Sequence, residues 1–423
     1  MSSEDKDLRL PSAFHRMWAA AGITSLGDGV YLAALPLLAS SLTRDPIVIS
    51  LVTAAEMLPW LFFGLIGGAL VDRWDRKRTM WLSDAGRAGL LAFAVVAAVS
   101  DLMSIALLIS LAFLLGIGQI LFDTAAQSYL PQLLDREEAL LVRANGRLRG
   151  TQIAADGVLG PPMGSALFTL GHSVPFIADA ISFMVSAAIV RTLPTAPAKP
   201  RRQTTSLWTD IREGMSYLLR NRLLLSLALR PAVGNMAFAA GGAVFILFAQ
   251  DELHLDAFGY GILLTAQAIG GLGGAAVAGR LATKLGTGTA LAVTAGVEAA
   301  AQLSLALANG PLWAGISLAT TGAGMTATMV LGPSVRQTIV PDHLIGRVSA
   351  ASRLIAVIGG PLGAILGGVL ATLTGLRSPF IFGAILLAAM TLMTAKLTSN
   401  SRIEAALAEA KRSPEPEFDP EAR

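Results

Sequence analysis

The sequence predicts an all-α membrane protein whose twelve transmembrane helices form two pseudo-symmetric six-helix bundles. Three observations predict it. Of 423 residues, 53% are hydrophobic and only 14% charged, whereas soluble domains carry roughly 25% charged residues to cover their surfaces. Basic residues fall in every second gap between apolar runs, and the second half of the chain repeats motifs of the first.

Crossing the hydrocarbon core takes about 20 mostly apolar helical residues. Runs of that length cover Phe14–Leu42, Val48–Val71, Thr79–Val99, Met103–Leu130, Ala139–Leu170 and Val174–Leu193. A second set covers Leu223–Gln250, Phe258–Thr283, Gly288–Leu307, Leu312–Val335, Ile345–Leu373 and Pro379–Leu397. The odd-numbered gaps hold only Arg44 and Arg377 as basic residues. The even gaps hold Arg73, Arg76, Lys77 and Arg78, then Arg136 with Arg143, Lys199 to Arg222, Arg280 with Lys284, and Arg336 with Arg347. The positive-inside rule therefore puts the even gaps and both termini in the cytoplasm.

Between the sixth and seventh runs lies a Pro-rich linker that opens at Pro194. Thr205–Arg220 follows as an amphipathic helix on the inner membrane face, with Leu207, Trp208, Ile211 and Met215 on one side. The expected organisation is residues 1–193 as the first bundle, 194–222 as linker, 223–398 as the second bundle and 399–423 as a cytoplasmic tail with a helical stretch. The halves repeat: Gly160-Pro161-Pro162-Met163-Gly164 in the fifth run matches Gly360-Pro361-Leu362-Gly363 in the eleventh, and Gly67–Arg73 aligns loosely with Gly274–Arg280. Duplicated six-span units are a known construction of secondary transporters.

Composition excludes other classes. Net charge is +3 without a basic face, so nucleic acid is not an expected partner. Cysteine is absent and the four histidines are scattered, which leaves no thiolate chemistry and no spacing for a metal. No phosphate-cradling loop or nucleophile–base pair occurs, so neither an enzyme, a cofactor nor ATP coupling is expected. Met1–Arg9 precedes the first run without a signal-peptide pattern.

The segment Gly68-Ala-Leu-Val-Asp72-Arg73-Trp-Asp75-Arg76-Lys77-Arg78 resembles the cytoplasmic loop signature of the major facilitator superfamily, between spans two and three. The resemblance implies a gating loop built on Gly68, Asp72, Arg73, Arg76 and Lys77. Gly160, Pro161 and Gly164 resemble the fifth-span signature of exporters, echoed by Gly360 and Pro361, with Asp156 where that pattern has a glycine. Two readings stand for this run: a kink on which the helix rocks, or close helix packing. Ser25-Leu-Gly27-Asp28, Leu133 to Asn145 and Phe176 to Phe183 resemble a bacterial branch containing macrolide and other drug exporters and the enterobactin exporter. The arginine that proton-coupled drug exporters carry in the fourth span is missing near Gly116-Ile-Gly118.

Charged groups inside spans cost roughly 2.5–3.5 kcal/mol each on insertion scales. Asp28, midway along the first span beside Gly29, is the leading proton-coupling candidate, followed by Asp156 and Glu56. Arg149, Arg230, Asn235 and Gln267 are cavity candidates, with apolar walls from Met57, Trp60, Phe238 and Phe245. Asp84 and Arg87, three apart, satisfy each other on one helix face. Asp123 and Asp179 read as interface or gating residues, and Glu298, with Gln302 one turn on, either as a functional acid or as a packing or interhelical group. The expected function is proton-coupled export of amphipathic small molecules by a monomer in a bacterial cytoplasmic membrane. Solute import and lysophospholipid flipping are the alternatives, a multi-span membrane enzyme the more remote one.

Overall fold

The computed structural model describes residues 10–71, 74–195 and 207–412, which form fifteen α-helices and, among the described residues, no strand. In chain order these are α1 (Ser12–Leu42), α2 (Pro46–Val71), α3 (Arg76–Val99), α4 (Ile105–Leu133), α5 (Glu138–Gln152), α6 (Gly160–Leu170) and α7 (Val174–Arg191). Then come α8 (Leu207–Arg220), α9 (Arg222–Leu247), α10 (Ala257–Leu285), α11 (Thr287–Ala306), α12 (Pro311–Ile339), α13 (Asp342–Thr374), α14 (Ser378–Thr394) and α15 (Asn400–Arg412). Ten of the described helices are long and apolar enough to cross a membrane. The apolar α14 is shorter, at 17 residues. α5 and α6 form one helical run, joined by a π-helical segment, Ile153–Leu159.

That π segment has a cause in the sequence. Pro161 and Pro162 lack amide hydrogens, so the carbonyls one turn earlier lose their helical donors. One of them, Val158 O, instead accepts a hydrogen bond from Thr265 Oγ1 of α10 at 3.1 Å. A neighbouring hydroxyl satisfying a freed carbonyl is how apolar surroundings tolerate such a break. Elsewhere helix starts are capped in the ordinary way. Asp75 accepts from Arg78 N at 2.7 Å, and Asn221 from Leu223 N and Leu224 N at 3.1 Å.

Loops gather at two ends. At one, the terminal end, near which the described residues begin and finish, Arg16 Nη1 donates to Thr192 O at 2.8 Å, Tyr129 Oη to Pro194 O at 2.7 Å, and Asn400 Nδ2 to Leu285 O at 2.7 Å. At the opposite end Arg377 Nε donates to Glu252 Oε2 at 2.9 Å and its Nη1 to Ala306 O at 2.7 Å.

The two halves of the chain meet along two seams, α2 with α13 and α6 with α10. They meet most fully toward the end away from the termini. There a single buried apolar cluster joins Tyr31, Leu37, Phe168 and Phe176 to Phe245, Phe248, Tyr260 and Phe380. Arg44 Nη2 pairs with Asp251 Oδ1 at 2.8 Å and its Nη1 reaches Gln250. At the terminal end the clusters stay within one half. Phe14, Met80, Tyr129 and Val190 form one, Leu227, Leu291 and Ile403 another, and Leu218, Leu224 and Val348 a third. Among the described residues no buried apolar cluster joins the halves at this end.

Both expected flanking helices exist, and each has a protein neighbour. α8 lies against α13, with Gly214 seated on the Arg347 backbone, Leu218 buried and Glu213 paired to Arg347 at 2.7 Å. The side chains of Leu207 and Trp208, on the apolar face expected there, lie outside the described residues. α15 buries Ile403 against α11 and α12.

Candidate functional site

A cavity of about 570 Å³ lies between the halves. From residues 1–193 its wall takes Leu32, Glu56, Met57, Trp60, Arg149 and Pro161; from the second half it takes Phe238, Phe245, Gln267, Gln302, Thr321 and Met325. Most of this wall is apolar or aromatic, with polar groups at a few points, which is the usual make-up of a small-molecule site. Arg353 of α13 lies 5.9 Å from the Trp60 ring of α2, a cationic contact across the halves at the cavity's side.

A second chamber, about 230 Å³, adjoins it inside the first half. It shares Leu32, Glu56 and Trp60 with the main cavity and adds Asp28, Arg87, Gln119, Gln152, Asp156 and Asp179. All three proton-coupling candidates, Asp28, Glu56 and Asp156, line this one chamber although they come from α1, α2 and the π segment. Asp28 and Arg149 also face a third space of about 720 Å³, with Asp123 and Gln127.

Arg87 organises the charges. Its Nη2 donates to Asp84 Oδ1 at 3.0 Å, the local pair that the spacing predicts. Its Nη1 reaches Asp28 Oδ1 at 3.4 Å and also bonds Gln119 Oε1. The guanidinium lies 3.9 Å from the centre of the Phe183 ring. Asp84 is fully buried and its second oxygen accepts from Ser186 Oγ at 2.6 Å. Gln119 Nε2 continues the chain to Asp123 Oδ2 at 3.1 Å. Asp179, 1% exposed, accepts from Ser182 Oγ at 3.0 Å and lies beside Gly27, one residue before Asp28. Asp28 itself is 27% exposed, on the chamber side. One buried cation is therefore shared between an enclosed carboxylate and one that faces the cavity system. The sequence carried the Asp84–Arg87 spacing but no sign that Asp28, 59 residues earlier, shares the cation.

Glycines set how closely α1 approaches this chamber. A Cβ on Gly29 would come within 2.8 Å of Asp156 Cα and 2.9 Å of Gly160 Cα. Gly164 lies as tightly on the Val30 backbone. The run Gly160, Pro161, Gly164 thus combines a break before it with close packing along it. In α13 the helix continues through Gly360 and Pro361, and a Cβ on Gly360 would meet Met57 Sδ at 3.1 Å.

The remaining candidates fall as follows. Gln267 and Arg149 line the main cavity, and Arg149 Nη1 donates to Gln152 Oε1 at 2.8 Å. Arg230 and Asn235 do not line it. Arg230 is 6% exposed and donates to Leu291 O at 3.0 Å, Thr394 Oγ1 at 3.0 Å and Thr398 Oγ1 at 3.3 Å, fastening α9 to α11 and α14. Asn235 Nδ2 donates to Ala356 O of α13 at 2.9 Å. In the loop signature, Gly68 belongs to α2 and Arg76 and Lys77 open α3 at the terminal end. Asp72 and Arg73 lie outside the described residues. Among the described residues no group of acidic residues and histidines is arranged to hold a metal ion.

Comparison with known proteins bears on what this geometry serves. A family model described as transmembrane secretion effector matches residues 8–422. The chain is 30% identical over 403 residues to YfiS of Bacillus subtilis, an uncharacterized MFS-type transporter, covering 89% of this chain and 91% of that one. It is 30% identical over 377 residues to the multidrug efflux pump Tap of Mycolicibacterium fortuitum, covering 86% and 90%. Macrolide efflux protein A of Streptococcus pyogenes is 22% identical over 245 residues, 57% and 60% of the two chains. The solved structure of the nucleoside transporter NupG superposes with a TM-score of 0.73 at 13% identity, covering 92% of this chain and 99% of the other. A bacterial homologue of the iron transporter ferroportin, in its inward-facing state, gives 0.72 at 14%, covering 91% and 97%.

Proposed function

This chain belongs to the transmembrane secretion effector family of major facilitator transporters, and on that premise we propose that it exports amphipathic small molecules by alternating access driven by protons. The observation that carries the proposal is the shared cation. Arg87 holds Asp28 at 3.4 Å while Asp84 offers it a second partner at 3.0 Å. When Asp28 takes a proton, Arg87 loses one anionic partner and keeps the other, so the charge balance of the chamber changes without stranding a buried cation. Release of that proton restores the first partner. The adjoining cavity, with its Met, Trp and Phe walls, suits drug-like cargo, in line with the multidrug and macrolide efflux relatives.

The wider arrangement follows from the same reading. The run 138–170 and α14 join the ten long helices as spans, giving twelve in two six-helix bundles, residues 1–193 and 223–398. Residues 194–222 form the linker and 399–423 the tail, with both termini in the cytoplasm of a bacterial cell. With that orientation, the end that lacks a shared apolar cluster faces inward. The protein works as a monomer in the lipid bilayer, with cargo and protons as its only ligands. A dedicated solute carrier is the competing reading, favoured by the nucleoside and iron transporters among its structural neighbours.

The test is drug accumulation in energised inverted vesicles, comparing native protein with Asp28→Asn, with and without an uncoupler. Proton-coupled export predicts accumulation that vanishes with the uncoupler and with the substitution. Accumulation that survives Asp28→Asn moves coupling to Asp156 or Glu56, and no movement of any drug favours the dedicated carrier.

A further inference from the structure

A fourth, much smaller chamber lies within the C-terminal half, between α9, α11, α12 and α14. Its volume is about 30 Å³, room for one or two water-sized groups and no cargo. Glu298 lines it, 2% exposed, with Oε1 accepting no hydrogen bond. A buried carboxyl oxygen without a partner is costly wherever it occurs and more so inside a membrane, so the group calls for a ligand that meets it. The neighbours narrow the choice. Thr328 has its hydroxyl hydrogen directed to Thr294 Oγ1 at 3.0 Å, Thr391 donates to Leu387 O at 2.8 Å, and Met325, Met329 and Met390 supply soft sulfur. The one other charged residue on the chamber wall is Arg230 of α9; α12 and α14 contribute no titratable group. Arg230 spends its Nη atoms on Leu291, Thr394 and Thr398. A metal ion would meet few oxygen donors and a resident guanidinium, whereas a proton needs only the carboxyl oxygen.

The chamber also has a route. Met325 lines both it and the main cavity, and Gln302, one turn along α11 from Glu298, lines the main cavity with its own Oε1 unpartnered. Met325, an adaptable apolar side chain, is common to the wall of the Glu298 chamber and that of the space in which cargo is proposed to sit.

We propose that Glu298 is a second proton-exchange site, in the half of the molecule opposite Asp28, loaded and emptied through the main cavity past Met325 and Gln302. An O–H bond forms on Glu298 as a hydronium in the cavity loses its proton, and the same bond breaks to water when that cavity opens to the other side. The inference rests on the proton-coupled export proposed for Asp28.

The experiment counts protons. Purified protein in liposomes is driven by a drug gradient, and proton movement and drug movement are measured together for native protein, Asp28→Asn, Glu298→Gln and Glu298→Asp. The expected result is one proton fewer per drug molecule in Glu298→Gln, with drug movement down its own gradient retained, and the native ratio regained in Glu298→Asp. An unchanged ratio in Glu298→Gln overturns the inference and leaves Asp28 coupling intact. A native protein that moves drug without protons overturns the coupling proposal itself. If Glu298→Gln does not fold, carbodiimide labelling of Glu298 in the native protein decides. Labelling that increases as pH falls and is blocked by added drug supports the site. Labelling that follows neither, or that sodium alone blocks, contradicts it.

Discussion

The two halves of this molecule hold their helices together by different means. In the first half the contacts around α1, α3, α4 and α7 include a network of charged groups, Asp28, Asp84, Arg87, Asp123 and Asp179, with the Gln119 amide bridging Arg87 to Asp123. In the second half the two longest seams are packed on glycines, beside the hydrogen bonds of Arg230 and Asn235, and the first half uses glycines as well where α1 meets α6. Gly359, Gly363 and Gly367, four apart on α13, lie on the backbones of Ala232, Met236 and Ala240 of α9. Gly270 and Gly274 of α10 lie the same way on Ala319 and Ala323 of α12. Small residues at this spacing let backbones approach and gain dispersion contact without any polar group. A seam of that kind has one good arrangement. A shared cation has two, since Arg87 can favour Asp28 or Asp84. If coupling runs through Asp28 as proposed, the switch lies where Arg87 has two acidic partners, and the glycine seams of the other half offer no such choice.

The largest expected effect comes from removing the cation. Arg87→Met leaves Asp84 buried with no counter-charge, which should cost about 3–5 kcal/mol. Thermal unfolding in detergent should show it, and adding Asp84→Asn to the same chain should recover much of the loss. If Arg87→Met melts like the native protein, the first half is not held electrostatically. Next comes the glycine seam. Gly363→Val drives a side chain into the Met236 backbone, an overpacking worth about 1–3 kcal/mol; its melting should fall while the proton-to-drug ratio of the surviving protein stays native. A changed ratio would mean the seam also switches.

A smaller effect belongs to Asn400, whose Oδ1 accepts from Thr289 N at 3.1 Å at the start of α11. Asn400→Ala removes a cap worth about 1 kcal/mol, so amide exchange should quicken in the first turn of α11 and nowhere in the first half. Arg44→Ala, which breaks the exposed pair with Asp251, should change stability by less than about 1 kcal/mol. Its melting should be native, and any loss of transport would assign that pair to gating.

Much of this was legible in the chain. Apolar runs near 20 residues gave the helices to within a few positions, because lipid leaves a span little choice but to be apolar and helical. The break before Gly160 was legible as a kink or a packing site, since a Pro-Pro pair says that donors are missing but not which neighbour repairs the loss; Thr265 does. Arg87 looked fully accounted for by Asp84, because a helix-face rule satisfied locally gives no reason to seek a partner on α1. Arg230 and Asn235 share α9 with Phe238 and Phe245, yet only the two phenylalanines reach the main cavity. Counting faces along a helix that holds Pro231 at its inner part could not separate them.

Asp28 is proposed to govern which end of the molecule is closed. The chain has no cysteine, so spin labels can be placed freely: Arg136→Cys with Gln337→Cys across the terminal end, and Leu102→Cys with Leu312→Cys across the opposite end. Distances within each pair would be measured in otherwise native protein and in Asp28→Asn, which mimics a proton on that carboxyl. Opposite shifts are expected in the two pairs, one end closing as the other opens. Two distance distributions that ignore Asp28→Asn would contradict that role.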